Sequence, residues 1–234
     1  KLEVVEEENY FFRLVKYQER ILELIRSDKL TIVPETRRNE VLAFLERPLE
    51  DISISRTNER ARNWGVAVPG DDSQRIYVWF DALNIYQSGV GFGWDEERYQ
   101  KWWPADVHLI GKGITRFHAI YWPAFLLSAG LPTPRSLAVH GYLTVDGKKM
   151  SKTIGNVVDP FELISRYGAD PLRYFLLRGV PFGEDGDFSE EKLAAVYNGE
   201  LANGLGNLVA RIATLGERVS PFVSAIPQNA VLAI

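Results

Sequence analysis

The stretch Asp146-Gly147-Lys148-Lys149-Met150-Ser151-Lys152-Thr153-Ile154-Gly155-Asn156 is polar and places three lysines within five positions. An apolar run from Leu137 to Val145 precedes it, and Asp146-Gly147 is typical of a tight turn because both residues tolerate positive φ. Asp159-Pro160-Phe161-Glu162 predicts a helix start, with Asp as the N-cap and Pro at the first helical position. The sequence therefore predicts a lysine loop between a strand and a helix. Flexible lysine cations suit a phosphate whose charge moves during a reaction.

Strand and helix patterns alternate upstream of this loop. Predicted strands cover residues 75–80, 107–110 and 136–145, and predicted helices cover residues 81–86 and about 115–128. We expect Asp81 to cap the first helix and Pro123 to kink the second. This order is typical of a doubly wound parallel sheet, so the fold class is predicted to be α/β.

Ligands of such sheets bind beyond the carboxyl ends of the strands. Three predicted strand ends, at Trp79–Ala82, Gly111–Gly113 and His140–Tyr142, should converge on one crevice, and Lys149 and Lys152 should overhang it. Elsewhere, helices are predicted at residues 6–27 (interrupted or turned in the middle), 38–46, 160–167, 171–178 (capped by Asp170) and 190–219 (one long helix or two), with an acidic loop at residues 183–189.

Composition limits the classes of function. The 234 residues are 46% hydrophobic and 25% charged, which is typical of a soluble globular chain, and the net charge of −4 restricts any RNA contact to local patches. Cysteine is absent, which excludes disulfides and thiolate metal sites, and the three histidines lack metal-ligand spacing. No signal peptide or membrane-spanning run is seen, so we expect a cytoplasmic protein. Met150 is the only methionine, so we expect a fragment, a processed product or a record with residues missing.

An aromatic set flanks the predicted crevice. Trp79 and Tyr86 lie seven residues apart across a strand-to-helix turn and could line one pocket, with Ala82 at its floor. Phe117 and His118 face the same crevice. Such a pocket suits an apolar, unbranched, polarisable side chain through sulfur–aromatic contact. Taken singly, Trp79 is better explained as a core residue and His118 as a locally hydrogen-bonded one.

The lysine loop also carries a resemblance. Lys149-Met150-Ser151-Lys152-Thr153 resembles the KMSKS loop of class I aminoacyl-tRNA synthetases, as do its flanks, His140–Thr144 and Gly155–Pro160. Tyr77–Leu83 and Gly111–Ala124 narrow the resemblance to the methionyl-tRNA synthetases. The match runs from about Glu7 to beyond Arg211, nearly the whole chain.

The resemblance implies the second half of a Rossmann-like catalytic domain followed by a truncated α-helical bundle. Residues 1–50 would be the return from a connective insertion, and residues 51–145 the second half of the catalytic domain. Residues 146–188 would form the KMSKS loop and stem-contact helices, and residues 189–234 the start of the anticodon-binding domain.

The implied activity is ATP-dependent formation of methionyl-adenylate, then transfer of the methionyl group to the terminal adenosine of tRNA(Met). The implied catalytic residues are Lys149 and Lys152. The implied ATP-binding residues are His140, Gly141, Lys149, Met150, Ser151 and Lys152. The implied methionine-binding residues are Trp79, Ala82, Leu83, Tyr86, Phe117 and His118. ATP would enter with Mg²⁺, and no metal site is expected within the chain.

The sequence departs from the family at several positions. The family's HxGH motif is missing, since Lys112 follows His108-Leu109-Ile110-Gly111 where a second histidine is needed. Gly113 stands where the family commonly has Asp, and Asn84-Ile85 replaces its usual pair. We therefore expect the chain to be inactive alone. Alternatives are a synthetase for isoleucine, valine, leucine or cysteine, a non-catalytic RNA-binding or regulatory module, and a generic nucleotidyltransferase.

Overall fold

The structure is a computed structural model that describes residues 6–219. The chain separates into two compact units, of which the first ends at Gly141 and the second begins at Tyr142. Each unit is described separately. Among the helices within residues 6–219, none combines the length and the apolar character needed to cross a membrane.

Within residues 6–141, the first unit contains eight strands and six α-helices. The strands are β1 (Phe11–Phe12), β2 (Thr31–Val33), β3 (Ile52–Ser53), β4 (Ser55–Thr57), β5 (Ala67–Val68), β6 (Asp71–Ile76), β7 (His108–Gly111) and β8 (Ser136–His140). The α-helices are α1 (Gln18–Arg26), α2 (Glu35–Leu45), α3 (Val78–Ala82), α4 (Ile85–Ser88), α5 (Glu96–Trp102) and α6 (Trp122–Ser128). The remaining helical turns are 3-10 helices at Leu14–Tyr17 and Lys112–Ile114 and a π-helix at Phe117–Tyr121.

A three-stranded parallel sheet in the order β2-β8-β7 forms the centre of this unit. Leu137 and Val139 of β8 are fully buried, as expected for a central parallel strand whose two faces are both covered. Ile21 and Ile25 of α1 and Ala124 of α6 belong to the same core. The predicted α/β fold class with a parallel sheet is confirmed.

The position of the first predicted strand is wrong. β6 ends at Ile76 and pairs antiparallel with β4 and β5, so the parallel sheet takes its remaining strand from β2. Helix α3 already begins at Val78, and Asp81 therefore lies inside the helix and does not cap it. The aromatic run at residues 77–80 is too short for its periodicity to separate strand from helix.

Two other elements also differ from expectation. The predicted helix over residues 6–27 begins only at Gln18, because Phe11 and Phe12 pair with β3 and the Tyr10 N–H donates to Ser55 Oγ. The predicted strand over residues 136–145 divides: β8 ends at His140, and the following strand belongs to the second unit.

The helix expected at residues 115–128 is interrupted before its proline. The π-helix at Phe117–Tyr121 precedes α6, in which Pro123 occupies the first turn. Residues 115–121 are helical as well, so Pro123 lies inside a continuous helical run, directly after a π-helical turn. Proline and π-turns are both recognised causes of a kink, as was expected at Pro123. The interruption places Phe117 and His118 on a π-helical turn, a feature that frequently marks functional sites.

The second unit contains three strands and four α-helices within the described residues. These are β9 (Leu143–Val145), β10 (Lys148–Lys149), β11 (Gly186–Phe188), α7 (Pro160–Tyr167), α8 (Ala169–Arg178), α9 (Glu190–Val196) and α10 (Asn207–Val219), with a π-helix at Tyr197–Gly206. The sheet order is β10-β9-β11, and β11 runs parallel to β9.

Helix α7 confirms its predicted bounds and cap, since Asp159 Oδ1 accepts from the Phe161 N–H at 2.8 Å. Helix α8 begins earlier than predicted, with Gly168 at the N-cap, so Asp170 lies in the first turn. The acidic loop expected at residues 183–189 contains β11, because Gly186 and Phe188 are buried against the sheet.

The four-segment domain division stays a prediction. One structural fact bears on its first boundary: β2 lies in the segment of residues 1–50 and pairs with β8 of the next segment. The bundle expected from residue 189 onward is helical as far as residue 219, and its residues 220–234 lie outside the described range.

Candidate functional site

Four of the predicted methionine-binding side chains come together in the first unit. The Trp79 and Phe117 rings stack with centroids 4.1 Å apart and an interplanar angle of 18°. The Tyr86 hydroxyl lies 2.8 Å from His118 Nε2. Trp79, Phe117 and Tyr86 are half-buried and pack on the cluster that contains the buried Leu83. Three short elements supply the four side chains: α3, α4 and the π-helix.

The hydrogen bonds of His118 fix its tautomer. His118 Nδ1 lies 3.0 Å from the Ile114 carbonyl oxygen, which can only accept, so Nδ1 carries a proton. Burial lowers the pKa of His118, and the bond to Ile114 only partly opposes this. The ring is therefore neutral near pH 7, and its Nε2 accepts from the Tyr86 hydroxyl. Burial also raises the pKa of Tyr86, so this hydroxyl keeps its proton.

His108 is a neighbour that the sequence did not identify as part of this cluster. It is 5% exposed, and its ring centroid lies 4.3 Å from that of Tyr86. Burial, with a smaller contribution from His118, lowers the pKa of His108 to about 4. Its Nδ1 is buried without a hydrogen-bond partner within residues 6–219. The cluster is thus aromatic and electrically neutral. In the sequence, only the position of His108 at the start of β7 could have suggested that it belongs to the cluster.

A cavity of about 720 Å³ lies next to this cluster in the first unit. Its lining comes from α2 and from residues 112–121, and it includes Phe117. Gly113, which replaces the family's usual Asp, also lines it. Arg116 lines it as well, with its guanidinium carbon 4.2 Å from the centroid of the Phe44 ring. The departure at Gly113 therefore faces open space beside the aromatic cluster.

Two other predicted site residues lie at the ends of elements of the first unit. His140 is the last residue of β8 and is exposed. Its Nδ1 lies 2.7 Å from the Gly141 carbonyl oxygen, so Nδ1 donates and Nε2 is the ring nitrogen left to accept. Ala82, which was expected at the floor of the aromatic pocket, is exposed at the end of α3. The residue buried beside it is Leu83.

The lysine loop of the second unit begins as a hairpin. Val145 pairs with Lys148 across Asp146 and Gly147, whose φ angles are 51° and 71°. Positive φ at both turn residues is what a two-residue type I′ hairpin requires, which confirms the predicted turn. Lys149 is therefore on strand β10, where a loop was expected. Lys152 lies in the turn beyond it, and both side chains are exposed.

Asp187 anchors this hairpin, and the sequence did not identify it. Its Oδ1 accepts from the Gly147 N–H at 2.7 Å and from Thr144 Oγ1 at 2.8 Å. Its Oδ2 lies 2.8 Å from Lys192 Nζ. Hydrogen bonds from Lys192, Gly147 and Thr144 lower the pKa of Asp187 to about 2. The signal in the sequence was the acidic run around residue 187, which we expected to be a loop.

The sequence predicts no metal site in this chain. The structure bears on this only through the positions of the side chains that could bind a metal ion. Within residues 6–219, the structure contains no group of three or more His, Cys, Asp or Glu side chains that could hold a metal ion. A magnesium ion brought by ATP would need fewer protein ligands, because Mg²⁺ keeps several waters and binds the phosphates.

Comparison with known proteins gives the family. Residues 1–213 match the family described as "tRNA synthetases class I (M)". The chain belongs to this family. The match also confirms the resemblance based on the lysine loop and the aromatic segments.

Several relatives are similar over most of the chain. It is 52% identical over 211 residues to the methionine–tRNA ligase of Thermotoga maritima and 51% identical over 210 residues to that of Brucella suis, in each case over 90% of this chain. A solved structure of Mycobacterium tuberculosis methionyl-tRNA synthetase in complex with methionyl-adenylate matches with a TM-score of 0.83 and 50% identity. That match covers 91% of this chain.

The chain spans only part of these relatives. It covers 33% and 40% of the Thermotoga maritima and Brucella suis ligases and 42% of the Mycobacterium tuberculosis chain. The two groups of predicted site residues lie in different units, and their convergence on one cleft stays a prediction.

Proposed function

We propose that this chain is part of a methionine–tRNA ligase. In this proposal the protein joins methionine to ATP, forming methionyl-adenylate and pyrophosphate, and then transfers the methionyl group to the 3′-terminal adenosine of tRNA(Met). The observation that carries the proposal is the neutral aromatic cluster of Trp79, Tyr86, Phe117 and His118, because its chemistry suits a thioether side chain.

Recognition of methionine is assigned to the first unit. The stacked Trp79 and Phe117 rings offer polarisable faces, and sulfur makes favourable contacts with aromatic rings at about 5 Å. The neutral His118 and the Tyr86 hydroxyl satisfy each other, so the cluster does not force a bare charge on an apolar ligand. Leu83 supports the cluster, and Ala82 borders it at the end of α3.

Stabilisation of the leaving pyrophosphate is assigned to Lys149 and Lys152. Negative charge moves onto the leaving group as the methionine carboxylate attacks the α-phosphorus, so cations placed there favour the transition state over the ground state. The Lys149 Nζ lies 6.0 Å from the centroid of the Tyr142 ring, and Lys152 is exposed. Both side chains are available to a polyphosphate. Met150 and Ser151 lie between the two lysines and are assigned to ATP binding with them.

The adenosine part of ATP is assigned to the end of β8. His140 and Gly141 follow a buried parallel strand, and ligands of such sheets bind beyond the carboxyl ends of their strands. Mg²⁺ would arrive bound to the phosphates of ATP. We further propose that the helical segment from residue 189 contacts tRNA and that the protein acts in the cytoplasm.

Methionine-dependent exchange of labelled pyrophosphate into ATP tests this function. The protein should be expressed from its own gene, with any flanking sequence included. We expect exchange with methionine to be at least about tenfold faster than with isoleucine, valine, leucine or cysteine, because a pocket of the wrong shape costs roughly 1–3 kcal/mol per methylene. Exchange driven as well or better by one of the other amino acids would contradict the choice of substrate.

Two further outcomes would identify the alternative functions. The absence of exchange with every amino acid would favour a non-catalytic RNA-binding module, whose binding to tRNA could then be measured directly. Exchange that needs no amino acid would indicate a nucleotidyltransferase of another kind. Gly113 lines a cavity and stands where the family commonly has Asp, so the non-catalytic alternative has to be tested.

A further inference from the structure

The side chain of Asn156 spans the turn after β10 with two hydrogen bonds. Its Oδ1 accepts from the Ser151 N–H at 2.9 Å, and its Nδ2 donates to the Lys149 carbonyl oxygen at 3.2 Å. Both partners are backbone groups whose roles are fixed, because an N–H can only donate and a carbonyl can only accept. The orientation of the Asn156 amide is therefore determined by its partners.

These two bonds hold the backbone on either side of Met150. The Lys149 carbonyl precedes that residue and the Ser151 N–H follows it, so the amide closes a ring from Lys149 to Asn156. Gly155 permits the return of the chain, since its φ of 75° is a conformation that other residues rarely adopt.

Ser151 supplies the remaining bonds of the turn. Its Oγ accepts from the Thr153 N–H at 3.2 Å, and its carbonyl oxygen accepts from the Gly155 N–H at 3.0 Å. Lys152 lies within this turn and has an exposed side chain. The backbone that carries both lysines is thus ordered, while their side chains point to solvent.

We propose that Asn156 is a positioning residue for the two lysines: its amide fixes the backbone between Lys149 and Lys152 and so sets how their cations meet a polyphosphate. This inference rests on the proposed function. Preorganised cations stabilise a transition state more than mobile ones, because no reorganisation is needed when charge develops.

The turn needs one acceptor and one donor on a short side chain, and asparagine supplies both. Aspartate keeps the acceptor for the Ser151 N–H but places a carboxylate oxygen against the Lys149 carbonyl, where a donor is needed. Glutamine carries both groups on a stem that is one methylene longer, and alanine carries neither. Replacement by Ala or Asp should therefore release the turn, and neither variant should disturb the first unit.

Limited digestion with trypsin tests whether the amide holds the turn, and it does not depend on any activity. Trypsin cuts after lysine and needs a locally opened chain. We expect Asn156→Ala to speed cleavage after Lys149 and Lys152 by about tenfold, since two hydrogen bonds are lost. Asn198→Ala is the matched control, because Asn198 is exposed and its side chain makes no hydrogen bond within the described residues. It should leave both rates unchanged.

Pyrophosphate exchange tests whether the held turn matters for the reaction. We expect Asn156→Ala and Asn156→Asp to lower kcat by about tenfold. The KM for methionine should differ by less than about twofold from that of the unsubstituted protein. A substitution raises KM alone only when it removes binding that the substrate and the transition state share. If Asn156 acts through the lysines, adding Asn156→Ala to Lys149→Ala should cause a much smaller further loss than it causes alone.

The outcomes separate the two proposals. Unchanged trypsin rates in Asn156→Ala would overturn the positioning role, and so would faster cleavage with an unchanged kcat. A fall in kcat that is fully additive with Lys149→Ala would also overturn it. Absence of exchange in the unsubstituted protein would instead overturn the proposed function, and the trypsin rates would then decide whether Asn156 holds the turn.

Discussion

The aromatic cluster of the first unit and the hairpin that carries Lys148 and Lys149 in the second differ in burial and in charge. The cluster is buried or half-buried and neutral, and burial lowers the pKa values of both its histidines. The hairpin presents exposed cations on the strand that follows its two-residue turn, and the carboxylate of Asp187 anchors it. In the proposed function, the first arrangement would select a ligand by shape, whereas the second would bind one by charge. Substitutions should therefore affect KM in the first region and kcat in the second.

The largest expected effect is that of Lys149→Ala. Removing one preorganised group that stabilises developing charge typically lowers kcat by about 100- to 1,000-fold. We expect a fall of that size in pyrophosphate exchange, with the KM for methionine within about twofold. Lys148→Ala is the matched control, since Lys148 is the neighbouring exposed lysine of the same strand. An equal loss in both variants would show that general charge, and not position, matters.

Trp79→Ala should change the KM for methionine more than kcat. It removes the ring that stacks on Phe117, and we expect the KM for methionine to rise about 10- to 100-fold while kcat changes much less. Trp64→Ala is a suitable control because Trp64 is 86% exposed. A fall in kcat at an unchanged KM would contradict the assignment of the cluster to methionine binding.

The sequence predicted the hairpin turn and the helix cap at Asp159 well, because both depend on neighbouring residues. It also predicted that Trp79, Tyr86, Phe117 and His118 would meet. The assumed route was wrong, since Trp79 comes from a helix and not from the end of a parallel strand. An aromatic run of four residues fits either element, and only its packing against distant residues decides between them.

The residues that the sequence missed are long-range partners. Asp187 reaches the hairpin from a strand 40 residues beyond Gly147. His108 contacts Tyr86 only because β7 begins beside α4 in the folded unit. Neither contact follows a local spacing rule. The acidic run around residue 187 and the position of His108 at the start of β7 were the signals, and neither of them identifies the partner residue.

The pH dependence of stability should report His108. Its pKa falls from 6.5 to about 4 on folding, so the unfolded chain binds more protons between these values. The stabilisation is present above pH 6.5 and is lost as the pH falls toward 4. We expect His108→Phe, which keeps an aromatic ring there, to reduce the loss of stability over this window by about 3 kcal/mol, seen as a shallower fall in Tm. A slope identical to that of the unsubstituted protein would show that His108 is not neutral when folded, and His140→Phe, at an exposed histidine, is the control.

The smallest expected effects are those of substitutions at Asp187 and Lys192. They separate the role of the Asp187 charge from that of its hydrogen bonds to the hairpin. Asp187→Asn keeps an oxygen that can accept from Gly147 and Thr144, so the hairpin should persist and kcat should fall only about two- to fivefold. Lys192→Ala removes the exposed ion pair but leaves the carboxylate in place, and such pairs contribute little, so kcat should change less than twofold. Asp187→Ala removes the acceptors as well and should lower kcat more than either. If Lys192→Ala matched Asp187→Ala, the ion pair and not the two bonds to the hairpin would be the anchor. The hairpin would then respond to salt, as the buried aromatic cluster should not.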